Sequence, residues 1–121
     1  MVRNTAASPP DEAAFDKVKR AAAGVPGVVE GTSYGTPALK VGKTLLCRVK
    51  DAETVVVACP VEEKELLMEA APEFYFETDH YRGWPLMLVR VHSIPPDDLT
   101  RRLERAWLMH APAKLVGSRG K

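Results

Sequence analysis

The sequence predicts an α+β fold, a two-layer sandwich with helices covering one face of an antiparallel sheet in the order α-β(3-4)-α-β(2)-α. Three observations lead there. Apolar residues at helical spacing stand at the start, middle and end of the chain. Runs rich in β-branched residues lie between them. The connections in the first group of strands are of hairpin length, which suits antiparallel neighbours.

Pro9-Pro10-Asp11-Glu12 opens the first helix, with prolines at its edge and acids in its first turn. Phe15, Val18 and Ala22 give it an apolar face, and Gly24 and Pro26 stop it. Gly31–Tyr34 is a short strand candidate, and Gly35-Thr36-Pro37 a turn. Ala38–Val41 and Thr44–Lys50 flank the tight connection Gly42-Lys43. Alternation in the second of these places Leu45, Cys47 and Val49 on one face and Thr44, Leu46, Arg48 and Lys50 on the other. Thr54–Cys59 follows the polar turn Asp51-Ala52-Glu53; Val55-Val56-Val57 is apolar on both faces and reads as a central strand. Pro60 to Ala71 reads as a second helix, with Leu67 and Ala71 on one face and Glu62, Glu63, Glu65 and Glu69 largely on the other. Pro72 ends it. Glu73–Thr78 and Leu86–Val91 are two more strands, joined through Asp79–Pro85. Pro95-Pro96-Asp97-Asp98 starts the last helix, whose face is Leu99, Leu103, Ala106 and His110, and Pro112 breaks it. Phe15, Val18, Leu67, Leu99 and Leu103 are expected to pack on the sheet.

The chain has 121 residues, 45% hydrophobic and 27% charged, which suits one domain with its own core. The expected organisation is a disordered lead over 1–10, one domain over 11–116 and a frayed tail over 117–121. No apolar run approaches the roughly 18 residues of a membrane span, and Met1–Ser8 has no signal-peptide core. The expectation is a cytoplasmic protein without a membrane partner. Cys47 and Cys59 each sit in an apolar strand; a bridge between neighbouring strands is open to them, but two buried reduced thiols is the preferred reading. Net charge is +1 but unevenly spread: residues 1–50 balance to +4, residues 51–79 to −8 and residues 80–121 to +5. Such a division lets one side of the folded chain be acidic and another basic.

Pro26-Gly27-Val28-Val29-Glu30 is followed by Ser33-Tyr34-Gly35-Thr36-Pro37-Ala38-Leu39-Lys40-Val41-Gly42-Lys43. With Gly83-Trp84 before the last strand, Ala106-Trp107 in the last helix and Ala111-Pro112-Ala113-Lys114 after it, these segments resemble the MmcQ/YjbR family of small bacterial proteins. The likeness runs from about Ala14 to Leu115. It implies a fold like that of type III secretion chaperones, α-β(3)-α-β(2)-α, and DNA binding through two neighbouring β-hairpins acting as wings. Pro85 directly after Trp84 departs from the family's pattern and removes a ladder donor at the mouth of that strand.

Lys40, Lys43, Arg48 and Lys50 form an acid-free basic run, and Arg82 adds a cation in the later turn. These are the candidate phosphate contacts, since repeated surface cations suit a nucleic-acid backbone; the same residues also suit a solvated sheet face. Tyr34, Tyr81 and Trp84 suit base stacking or packing at a core edge. Glu30, just after a Pro-Gly turn, suits a groove carboxylate or a local cap. His80, His92 and His110 are scattered without metal-ligand spacing, and no nucleophile elbow, P-loop or dinucleotide fingerprint is present. The reading is therefore no enzyme, no cofactor and no metal. It favours a weak DNA-binding module, monomeric or homodimeric, with a protein-interaction or chaperone-like module as the alternative.

Overall fold

The structure is a computed structural model, and it describes residues 9–110. The lead expected over 1–10 lies outside the described residues except for Pro9 and Pro10, which begin the first helix. The tail, Pro112 and the Ala111–Lys114 segment also lie outside them. The elements are α1 (Pro9–Ala21), β1 (Val28–Ser33), β2 (Thr36–Val41), β3 (Thr44–Asp51), β4 (Thr54–Ala58), α2 (Val61–Ala70), β5 (Tyr75–Phe76), a 3-10 turn (Asp79–Tyr81), β6 (Leu86–Arg90) and α3 (Pro96–His110).

The six strands form one antiparallel sheet in the order β1-β2-β3-β4-β6-β5. α1 and α3 lie against β2, β3 and β4 and touch each other. The core between helices and sheet is built from alternate strand positions, as the period-two geometry of a strand requires. Val55 and Val57, Met87 and Val89, and Tyr75 all enter it. Val18, Leu99 and Leu103 are fully buried there, while Phe15 and Leu67 are half-buried against it. α1 thus buries Ala14 and Val18, one helical turn apart, and leaves the Phe15 ring partly in water beneath the Lys19 ammonium, 5.0 Å from its centroid. Burying each such Val or Leu contributes roughly 1.5–3 kcal/mol.

Side-chain bonds tie α1 and α3 to each other and to the neighbouring loops. Trp107 is fully buried and its Nε1 donates to the Pro26 carbonyl at 2.7 Å. Thr100 Oγ1 donates to the Ala21 carbonyl at 2.9 Å, where α1 ends. Lys17 Nζ donates to the Ile94 carbonyl at 2.7 Å. Each satisfies a carbonyl that the turn or helix end would otherwise leave without a partner.

Strand boundaries differ from expectation at two places. β1 begins at Val28 and pairs along its whole length with β2, so the family-like segment forms a hairpin rather than a short strand and a turn. The strand expected over Glu73–Thr78 is ordered as β structure only at Tyr75 and Phe76, beside the outer edge of β6. Pro85 stands one residue ahead of β6, and its carbonyl accepts from Cys59 N–H at 3.0 Å. The missing proline donor therefore costs the ladder nothing there.

Candidate binding groove

Among the described residues, no long helix covers the second face of the sheet. Val56, Leu88 and Tyr81 form a small buried cluster on it, with Phe76 and Leu86 packed around. Arg48, Val56, Leu88 and Phe76 are successive register partners across four strands and make one row on this face.

A bulge gives this face its shape. Leu39 pairs with Cys47, but Lys40 pairs with Leu45, so Leu46 is an extra residue in β3. An extra residue resets the alternation that follows it. Leu46 and Cys47 are therefore both buried in the helix-side core, and Leu45 turns to the outer face. This corrects the strict alternation expected for β3, which put Leu45 inside and Leu46 outside. A second irregularity lies between Val49 and Asp51, at Lys50.

Between the β1–β2 hairpin tip and the 79–85 turn lies an open groove of about 420 Å³. Leu45, Arg48, Val56 and Leu86 form its floor. Tyr34 stands at one side, and His80, Tyr81 and Trp84 at the other. Tyr34 is 89% exposed and Trp84 61%, so two large rings face water across one depression. Tyr34 also has φ 54°, the left-handed region in which a non-glycine residue is strained. The next residue, Gly35, has φ 79°, so the two central residues of the hairpin turn are both left-handed. The two-residue turn accounts for this φ, and it leaves the Tyr34 ring pointing to water.

Arg48 is the charged floor. Its Nη2 donates to Tyr81 Oη at 2.9 Å, and its Nη1 reaches Thr36 Oγ1 and the Val49 carbonyl, both at 3.4 Å. The guanidinium lies 5.2 Å from the centroid of the Tyr34 ring. All of these partners are neutral, and among the described residues Arg48 forms no ion pair.

The far wall is anchored from α2. Lys64 is buried, and its Nζ donates to the carbonyls of Tyr81 (3.0 Å), Trp84 (2.8 Å) and Leu86 (3.2 Å). An ammonium has three N–H donors, and Nζ shares them among these carbonyls and Glu77 Oε1, which at 2.6 Å is the shortest of the four contacts and balances the charge. Sequence reasoning missed this lysine because α2 shows an acidic surface pattern around it, and its partners lie 17 to 22 residues further on.

The sequence candidates separate into two groups. Tyr34, Tyr81, Trp84 and Arg48 meet in the groove. Lys40 lies beside it as the partner of Leu45, with its stem 3.9 Å from where a Gly31 Cβ would stand; Lys43 is exposed in the β2–β3 turn. Lys50 sits in the bulge, 3.8 Å from Asp51 Oδ2. Arg82 is held by Asp79 at 2.6 Å and lies 3.9 Å from Glu77. Glu30 is not in the groove: it pairs in register with Leu39, a core residue, and its carboxylate lies 4.0 Å from Lys19 of α1.

Elsewhere, Glu63 joins α2 to α3 through Arg102 (2.8 Å) and Arg105 (2.9 Å). The hydrogen bond from Arg105 holds the Glu63 carboxyl below its ordinary range, against partial desolvation and with help from Arg102. Cys47 and Cys59 are buried free thiols, and burial pushes them up to about 12 and about 11. Among the described residues no cluster of three metal-ligating side chains occurs, and no helix is long and apolar enough to cross a membrane.

The family model described as YjbR matches residues 23–109, which include every residue of the groove. Uncharacterized proteins of Mycobacterium tuberculosis and Mycobacterium bovis are each 32% identical over 123 residues, covering 86% of this chain and 93% of the relative. A crystal structure of a Deinococcus radiodurans protein with a DUF419 domain matches with a TM-score of 0.65 and 18% identity. That match covers 78% of this chain and 76% of the other, and at such identity it shows a shared fold.

Proposed function

For a chain that belongs to the YjbR family, we propose a non-enzymatic, weak nucleic-acid-binding role in which a single-stranded DNA segment lies across the face of the sheet opposite α1 and α3. The observation that carries this is the pairing of two exposed rings, Tyr34 and Trp84, over one groove floored by the Arg48 guanidinium. Every base has a flat face, so such a platform accepts a strand whatever its sequence, and each stacked base contributes roughly 1–3 kcal/mol. Lys40 and Lys43 stand along the β2–β3 hairpin beside the groove, where they suit phosphates of the same strand.

The arrangement suits a single strand better than a duplex gripped by two wings. The β3–β4 hairpin tip carries Asp51 and Glu53, with Glu53 N–H donating to Asp51 Oδ1 at 2.9 Å. Carboxylates at that tip oppose a second phosphate backbone. Arg82 and Lys50 already face carboxylates of their own. The absence of enzymatic activity is part of the proposal: among the described residues the groove lining brings together no nucleophile with a base and an orienting carboxylate.

A protein-interaction role is the second reading, and β1 favours it. This six-residue strand lies at the edge of the sheet with Val29 55% exposed, and an open edge accepts an added strand from a partner.

Fluorescence anisotropy with a labelled single strand and the matching duplex, at low and moderate salt, tests the proposal. The single strand should bind more tightly, lose affinity as salt rises, and release from Trp84→Ala and from Lys40→Ala with Lys43→Ala. No binding at low salt, or duplex binding indifferent to Trp84→Ala, overturns it and leaves the edge-strand reading.

A further inference from the structure

We infer that the groove is a site for one nucleoside monophosphate, with the base between Tyr34 and Trp84 and the phosphate on Arg48. The inference rests on the stacking role of the groove and adds the group that Arg48 receives. Three observations carry it. The first is size: about 420 Å³ is at the small end of small-molecule sites, which span roughly 300–1,000 Å³. The second is the charge of Arg48. Where this protein buries the cations Lys64 and Arg102, each meets a carboxylate. Arg48 is half-buried, yet its partners are a phenol, a threonine hydroxyl and a backbone carbonyl. A partly desolvated cation with only neutral partners attracts an anion. The third is orientation. A guanidinium has five N–H donors: Nη1 reaches Thr36 Oγ1 and the Val49 carbonyl and Nη2 donates to Tyr81 Oη, so among the described residues Nε and one Nη2 hydrogen stay open to an anion. That is the fork that takes phosphate by two parallel bonds. Among the described residues no carboxylate lines the groove to repel the phosphate.

Calorimetry or ligand-observed NMR with adenosine monophosphate, adenosine and inorganic phosphate tests it on the intact chain. Adenosine monophosphate should bind about tenfold or more tightly than adenosine, since a charge-assisted pair is the difference. Inorganic phosphate alone should bind more weakly than either. Arg48→Met should remove the preference for the nucleotide while adenosine binding survives, and Trp84→Ala should weaken both. The wild-type ratio is decisive even if Arg48→Met fails to fold. Equal affinity for nucleotide and nucleoside overturns the inference. If single-stranded DNA still binds in that case, the stacking role stands without the phosphate site. If the nucleotide binds with the expected ratio and single-stranded DNA does not bind, this site stands and the nucleic-acid role falls.

Discussion

Lys64 Nζ lies 2.8 Å from the Trp84 carbonyl, so a residue of α2 sets the position of a ring on the outer wall of the groove. The same ammonium holds Tyr81, whose hydroxyl orients Arg48. One buried cation therefore supports both the wall and the floor. Lys64→Met should cost about 3–5 kcal/mol in urea unfolding, because Glu77 keeps only the 3.9 Å contact with exposed Arg82 and three carbonyls lose their donor. Adding Glu77→Gln should recover part of that loss without restoring groove binding. An equal loss in the double variant would show that the ion pair is not the source of the penalty.

Tyr34 trades stability for an outward ring. Its φ of 54° costs about 1 kcal/mol in a non-glycine residue. Tyr34→Gly should raise the unfolding midpoint slightly and weaken single-strand binding at the same time. A variant that binds as well as the parent would remove Tyr34 from the site.

Glu63 gives the fold an acid-sensitive joint. Its folded-state pKa lies below the ordinary value of 4.5, chiefly through Arg105. Its contribution is therefore fully present above about that ordinary value and is lost as pH falls through the folded value. Glu63→Gln should cost about 1–2 kcal/mol near neutrality, and the gap between parent and variant should close on acidification. A gap independent of pH would mean that packing, not charge, joins α2 to α3.

The two thiols should be silent in the native state. With Cys47 pushed up to about 12 and Cys59 to about 11, neither forms thiolate near neutrality. A disulfide-exchange reagent at pH 8 should read no thiol in the folded protein and two after denaturation. Rapid native labelling of either would contradict their burial.

Much of this was legible in the sequence because local patterns and tertiary demands agree. The apolar spacing in α3, the Gly42-Lys43 turn and the uniformly apolar Val55–Val57 each need only neighbouring residues to be understood. Leu45 and Leu46 were not legible: which of them turns outward depends on the Lys40–Leu45 pairing in β2. Lys64 was hidden for the same reason, since the three carbonyls it meets belong to the distant 79–85 turn and the start of β6. Tyr34, Tyr81 and Trp84 read in the sequence as aromatics for stacking or for packing at a core edge, and only the fold brings them to one groove. Glu30 looked equivalent to them along the chain, and the pairing of β1 with β2 sends it to the opposite face.

Trp84 itself offers the most direct measurement. The chain has two tryptophans, of which Trp84 is 61% exposed and Trp107 is 1% exposed. Nearly all quenching by a neutral quencher such as acrylamide should therefore report on Trp84. Saturating single-stranded DNA at low salt should shield that fluorescence strongly, and rising salt should restore access as the strand leaves. Unchanged acrylamide quenching while anisotropy shows the strand bound would place the nucleic acid elsewhere and contradict the groove as its site.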